Sequence, residues 1–208
     1  MLIQKFHLGI SHHKGTAVSA ASGLPLFSRQ GHWDGGSTIH CVAMALALLG
    51  RLADPVHLPY HDEGSERRLW EAGWPHYLHG LTLSELAGFI SELNLGVRPT
   101  LCTASDAGLF DFVERELVAG KPVILGWHRQ HPTEAHAALV IGIEGRQHAR
   151  QFIRESLLLL DPAGDAPALT AFNARLTAND ANLLSYLSPD AAYSVMPEGA
   201  VSIRLAST

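Results

Sequence analysis

The sequence is poor in cysteine and in net charge. Its 208 residues include only two cysteines, Cys41 and Cys102, which are too few for a disulfide framework. In a reducing compartment both are expected to be free thiols that serve as packing. Charged residues make up 17% of the chain and its net charge is -5. Because a nucleic-acid surface needs a basic face, this balance argues against nucleic acid as a partner.

Long apolar runs are also missing. No segment approaches the roughly 18 apolar residues of a membrane-spanning helix, and residues 1–15 are too polar for a signal peptide. We therefore expect a cytoplasmic protein without a membrane span. Hydrophobic residues make up 47% of the chain, which is enough for a sizeable core, and the length suits one domain spanning residues 1–208.

Histidine, in contrast, is abundant, with 13 residues. Histidine is the commonest metal ligand, but these histidines are scattered and lack flanking cysteines or an HExxH pattern. We therefore expect no metal and no other cofactor. A histidine-rich metal protein is kept as a third interpretation, which elemental analysis would test.

The predicted helices precede the predicted strands. Residues 37–49 are rich in Ala, Leu and Met and end before Gly50, which predicts a buried helix. Residues 82–85 fit a capping box that opens another helix. Short apolar runs of strand length follow at 122–127, 136–143 and 156–160. This order predicts an α+β fold, in which a helical lobe (about 30–120) packs on an antiparallel β-sheet (about 121–208).

Three short segments carry residues suited to nucleophilic catalysis. Ser37 follows the glycine-rich turn 34–36, at a helix N-terminus whose unpaired N–H groups favour a thiolate or an oxyanion. His136 begins an apolar strand and Asp161 ends the next one. Because paired strands lie about 4.8 Å apart, we expect these two side chains to hydrogen bond and to face the helix N-terminus. Each segment also has a structural explanation: a helix cap, a satisfied histidine and an Asx-turn.

The wider sequence around these residues matches a known pattern. Gln30 precedes the helical segment 37–50, and residues 120–123, 136–142 and 161–164 read Gly-Lys-Pro-Val, His-Ala-Ala-Leu-Val-Ile-Gly and Asp-Pro-Ala-Gly. In this order the segments resemble those of the papain-like cysteine peptidases, in the branch of the bacteriocin-processing, double-glycine leader peptidases and their stand-alone relatives. The resemblance implies a papain-like fold and a peptide or protein substrate.

The resemblance also implies a role for each matched residue. His136 matches the general base, Asp161 its orienter and Gln30 the oxyanion-hole glutamine. Gln30 lies seven residues before Ser37, whereas the family spacing is six. The family's nucleophilic cysteine falls on Ser37, and Cys41 falls where the family has a non-catalytic Cys or Ser.

A serine at the nucleophile position leaves several functions open. The first expectation is a papain-like cysteine peptidase or its Cys-to-Ser inactive form, and the alternative is a natural pseudopeptidase that binds peptides without cleaving them. A serine hydrolase is disfavoured, because serine is far less acidic than cysteine. Four aromatic residues either line a cleft or pack locally: Trp33, Trp70, Trp74 and Tyr77.

Overall fold

A computed structural model gives the fold of most of the chain. It describes residues 1–13, 16–19, 22–31, 34–104, 108–129, 134–149, 151–178 and 183–206. Strand makes up 38% of the structure and helix 26%. The protein therefore contains more strand than helix.

Four α-helices lie in these ranges: α1 (Ser37–Leu48), α2 (Gly64–Gly73), α3 (Leu83–Glu92) and α4 (Leu109–Val118). Short 3₁₀ turns occur at Leu58–Tyr60 and Trp74–His76. Every residue of α1 is buried, which confirms the helix predicted from its Ala, Leu and Met content. The capping box predicted for α3 is also confirmed, since Thr82 and Glu85 each accept a hydrogen bond from the other's backbone N–H. None of these helices is long and apolar enough to cross a membrane.

Ten β-strands run through the described residues: β1 (Leu2–Phe6), β2 (Ile10–His13), β3 (Thr16–Ser19), β4 (Val97–Thr103), β5 (Val123–Arg129), β6 (Glu134–His148), β7 (Gln151–Leu160), β8 (Ala174–Ala178), β9 (Leu184–Leu187) and β10 (Ala192–Leu205). Strands β5 to β10 pair in chain order, and β10 pairs back with β5, so these six form a closed antiparallel barrel. Strand β1 pairs with β6 and β4 pairs with β10, while β2 and β3 form a separate hairpin.

The barrel shows that the predicted fold class was wrong. In place of a papain-like helical lobe on an antiparallel sheet, the structure has a closed six-stranded barrel, two further strands and four short helices. The error arose at β8 and β9, which are only five and four residues long and were not predicted as strands. Periodicity does not identify strands this short, yet they join β7 to β10 and so close the ring.

The two faces of β6 contribute to two separate hydrophobic clusters. Leu139 and Ile141 pack in the cluster that includes α1, whereas Ala138 and Val140 pack in the other cluster with residues of β5, β7 and β10. Successive strand residues point to opposite faces, so His136 shares the face of Ala138. The start of β6 therefore brings a histidine to the end of the barrel, beside the strand face that α1 covers.

Candidate functional site

A small cleft lies where the N-terminus of α1 meets the barrel. Its volume is about 140 Å³, below the roughly 300–1,000 Å³ of small-molecule pockets. This volume suits one or two residues of an extended chain better than a bulky cofactor. The residues that line it come from α1 and the turn before it, the segment before α3, and strands β5, β6 and β10: Gly35, Ser37, Thr38, His79, Gly80, Leu81, Thr82, Leu83, Gly126, His128, Ala135, His136, Ala137 and Glu198.

His136 and Asp161 lie close together, as predicted from their positions at the ends of two apolar runs. Strand β6 pairs with β7, with Leu139 opposite Leu160, and Asp161 directly follows the last residue of β7. The Nε2 atom of His136 lies 2.7 Å from Oδ1 of Asp161. With Nε2–H donating to the carboxylate, Nδ1 is the nitrogen that can accept a proton.

Asp161 is buried in a polar network that keeps it ionised. Only 2% of its surface is exposed. Besides His136, its carboxylate accepts hydrogen bonds from the Ala163 N–H at 2.9 Å and the Tyr186 hydroxyl at 2.5 Å. Burial alone would raise the pKa of Asp161, but the hydrogen bond and charge of His136, together with the Tyr186 and Ala163 donors, outweigh it, and the pKa is lowered. Asn173 fixes the Asp161 backbone by bonding both its N–H and its carbonyl.

Tyr186 and Trp127 complete the surroundings of the His–Asp pair. Burial, followed by the charge of Asp161, raises the pKa of Tyr186, so its hydroxyl stays a donor. Trp127 is opposite His136 in the β5–β6 register, and the two rings meet edge to face with centroids 5.1 Å apart. No sequence pattern pointed to Tyr186, since its strand β9 is only four residues long.

Ser37 is placed where helix and sheet meet. It is the first residue of α1, and Gly36 before it supplies no side-chain cap. The Ser37 hydroxyl oxygen accepts a hydrogen bond from the N–H of Ala137 at 3.3 Å, and Ala137 follows His136 in the chain. Ser37 and His136 line the same cleft, as the sequence predicted.

The structure does not bring the Gln30 side chain into this cleft. Its Nε2–H donates to the carbonyl of Asp34, and Gln30 is absent from the described residues that line the cleft. Its backbone N–H donates to the carbonyl of Pro162 at 2.8 Å, which ties the segment before α1 to the turn after Asp161. The oxyanion role of Gln30 therefore stays a prediction.

A second set of hydrogen bonds holds the turn before α1. The Asp34 carboxylate accepts from the Gly36 N–H at 2.8 Å and from His40 Nε2 at 2.9 Å, and His40 Nδ1 lies 2.8 Å from the Ser28 hydroxyl. Burial acts to raise the pKa of Asp34, but the His40 and backbone hydrogen bonds outweigh it and lower the pKa. Since none of these polar side chains lines the cleft, they position the turn. Ser28 and His40 were not among the residues that the sequence suggested for the site.

Both cysteines are buried, as expected for packing residues. Cys41 lies one turn after Ser37 and is fully buried, with its Sγ 3.6 Å from the carbonyl oxygen of Ala137. Burial, then the charge of Asp161, raises the pKa of Cys41 well above its usual value. Cys41 is therefore a protonated packing residue, and Cys102 packs in the second hydrophobic cluster.

The remaining residues that the sequence suggested as functional do not line the cleft. In the part of the chain that the structure describes, no group of three His, Cys, Asp or Glu residues is placed to hold a metal ion. Trp70, Trp74 and Tyr77 contact one another, which is the local packing that the sequence allowed. Trp33 lies outside the described residues.

Comparisons with known proteins do not add to this geometry. No protein-family model matches the chain, and no curated protein is significantly similar to it. The function is therefore inferred from the arrangement of the side chains described above.

We expect Tyr186→Phe to lower the free energy of unfolding by about 1.5–3 kcal/mol at pH 7, because it removes a buried hydrogen bond to a carboxylate. The loss should shrink as the pH falls through the pKa of Asp161 in the folded protein. That pKa is lowered, so the stability that the ionised carboxylate contributes is present above the pKa of Asp161 in the unfolded chain. It is lost as the pH falls through the pKa of Asp161 in the folded protein.

Urea unfolding at pH 7 and pH 3 measures this effect. Tyr193→Phe is the matched control, since Tyr193 stacks on Tyr186 with centroids 4.7 Å apart but does not hydrogen bond Asp161. The loss of unfolding free energy in Tyr193→Phe should be the same at pH 7 and pH 3. A Tyr186→Phe cost at pH 7 that is no larger than the cost of Tyr193→Phe would contradict the assigned hydrogen bond.

Proposed function

We propose that the cleft is a peptidase-type acyl-transfer site, of the kind used by cysteine peptidases, with serine at the nucleophile position. In this form it binds an extended peptide segment and hydrolyses it slowly or not at all. The observation that carries the proposal is the hydrogen bond between His136 and the buried Asp161, with His136 lining one cleft together with Ser37 at an uncapped helix N-terminus.

Each group has a defined role in this chemistry. Asp161 holds the imidazole through Nε2, so that Nδ1 of His136 takes the proton from the side chain at position 37. The deprotonated atom then forms a bond to the peptide carbonyl carbon. Collapse of the tetrahedral intermediate breaks the C–N bond, and the imidazolium returns the proton to the leaving amine. Water completes hydrolysis of the acyl intermediate by the same steps.

The developing oxyanion needs hydrogen-bond donors. We assign this role to the backbone N–H groups in the first turn of α1, which have no side-chain cap and carry the positive end of the helix dipole. Gln30 would join them only if its amide left the Asp34 carbonyl.

The strand residues that line the cleft favour a peptide as the bound molecule. They include Gly126, Ala135 and Ala137 of neighbouring strands, with Gly126 opposite Ala137. Ala135 is exposed, and its small side chain leaves room for an extended backbone to lie against β6. A chain that passes through a cleft of this size would leave most of its length outside it.

A natural pseudopeptidase is the second candidate, and one contact favours it. The Ser37 hydroxyl oxygen accepts a hydrogen bond from the Ala137 N–H, and Ser37 makes no hydrogen bond to His136. A neutral serine without a hydrogen bond to its base is a poor nucleophile.

Incubation of a peptide pool with the unmodified protein and with Ser37→Cys separates the two functions. Hydrolysis by Ser37→Cys alone indicates an inactivated peptidase. Hydrolysis by neither protein indicates a binding module.

We expect Ala135→Trp to weaken peptide binding by at least about tenfold, since a side chain that fills the cleft removes the central contacts of the ligand. Ala135 lines the cleft and is exposed. Retention of a random hexapeptide pool on the immobilised protein, counted by mass spectrometry, measures the effect.

Ala192→Trp is the control for this test. Ala192 is also an exposed alanine on a barrel strand, but it does not line the cleft. Its variant should retain peptides like the unmodified protein. Equal retention by both tryptophan variants would show that peptides do not bind in the cleft.

A further inference from the structure

The cleft has a one-sided charge. Among the described residues that line it, Glu198 is the only Asp or Glu, and none is Lys or Arg. The other polar residues are Ser, Thr and His. A ligand in this cleft therefore meets one carboxylate and no permanent positive charge from the lining residues.

A β-bulge directs Glu198 into this position. Along the pairing of β10 with β5, Pro197 is opposite Trp127 and Gly199 is opposite Gly126, so Glu198 is an extra residue without a partner on β5. Bulges of this kind turn a side chain away from the regular alternation and are common beside active sites. The bulge depends on Gly199, because a Cβ there would lie 2.6 Å from the carbonyl oxygen of Cys102.

The Glu198 carboxylate keeps capacity for a ligand. Its Oε2 lies 3.3 Å from Nε2 of His128, and the two side chains are 33% and 41% exposed. An ion pair this exposed contributes little to stability, and a carboxylate can accept about four hydrogen bonds. A cation that enters the cleft can therefore bind Glu198 without breaking a strong contact.

We propose that Glu198 is a specificity residue that selects a peptide with a cationic group beside the segment held at Ser37 and His136. The group is either an arginine or lysine side chain or a free N-terminal amine. This inference rests on the proposed peptide-binding function and adds the chemical class of its ligand.

Affinity selection of defined peptide pools tests the inference. The full-length protein is immobilised and incubated with random hexapeptides that are acetylated at the N-terminus and amidated at the C-terminus, and the retained peptides are sequenced by mass spectrometry. A second pool with free N-termini distinguishes the two sources of the cation. Ala135→Trp supplies the background, and Glu198→Gln removes the charge while it keeps the shape of the side chain.

The expected result is an enrichment of about two- to fivefold, as for one partly exposed ion pair. Enrichment of Arg and Lys at one position of the capped pool identifies a side chain, and preferential retention of the uncapped pool identifies the terminal amine. Either preference should disappear in Glu198→Gln and persist in His128→Gln.

The failures of the two proposals differ. Peptides retained above background without any cationic preference, or with a preference that survives in Glu198→Gln, would overturn the role of Glu198 and leave the peptide site intact. Retention no greater than that of Ala135→Trp would overturn the proposed function itself.

Discussion

Ser37→Cys should create a thiol that iodoacetamide labels about ten times faster at pH 6 than an ordinary exposed cysteine. An ordinary thiol with a pKa of about 8.5 is only about 0.3% ionised at that pH. A site that lowers the thiol pKa to about 6 ionises half of it, which is more than a hundredfold increase in thiolate. The lower nucleophilicity of a more acidic thiol offsets roughly tenfold of this gain.

The acidity should come from two features of the site. Position 37 begins a helix without a side-chain cap, whose N–H groups and dipole stabilise an anion. His136 lines the same cleft and is held by the buried carboxylate of Asp161, so its imidazole can take the proton of a thiol at position 37. Both features favour the thiolate and imidazolium pair over the neutral pair.

Two comparisons make the labelling rate interpretable. The unmodified protein reports the background from Cys41 and Cys102, which are buried. Ala192→Cys supplies an exposed thiol on a barrel strand away from the cleft. Residue 37 is only 4% exposed, so the decisive comparison is the pH dependence of labelling, which does not depend on access. A Ser37→Cys rate that falls toward pH 6 as steeply as that of Ala192→Cys would contradict a peptidase-type site and leave a plain peptide-binding module as the better account.

Asp161→Ala should lower the free energy of unfolding by about 3–5 kcal/mol at pH 7, because each buried donor left without its acceptor costs about 1–3 kcal/mol. The change strands the donors of His136, Tyr186 and the Ala163 backbone in a site where Asp161 is only 2% exposed. Urea unfolding measures the loss. Asp161→Asn keeps the shape and one acceptor, so its loss should be smaller.

Asp165→Ala is the matched control. Asp165 is four residues further along the chain and pairs with Arg29 at 2.7 Å, but both side chains are mostly exposed. Its replacement should cost no more than about 1 kcal/mol. Similar losses for Asp161→Ala and Asp165→Ala would show that the buried carboxylate does not organise the end of the barrel.

Local patterns were sufficient to predict the elements that bear the candidate site. Helix α1 follows from a run of strong helix formers that ends before Gly50. The proximity of His136 and Asp161 follows from two apolar runs whose ends meet when the strands pair. These features are encoded within a few residues, so a single sequence exposes them.

The barrel and part of the site depend on contacts that local patterns do not encode. Closure requires β8 and β9, which are too short to recognise from their periodicity. Tyr186 reaches Asp161 across 25 residues of chain only because the ring closes. The distance in sequence between Gln30 and Ser37 does not predict that the Gln30 amide donates a hydrogen bond to the Asp34 carbonyl.

The most direct test of the site is the iodoacetamide labelling rate of Ser37→Cys at pH 6, with and without His136→Ala. We predict that adding His136→Ala slows labelling several-fold, toward the rate of the exposed thiol in Ala192→Cys, because the thiolate loses its imidazolium partner and is stabilised only by the helix N-terminus. An equal rate with and without His136 would show that position 37 and His136 do not act together. It would contradict the proposed catalytic arrangement.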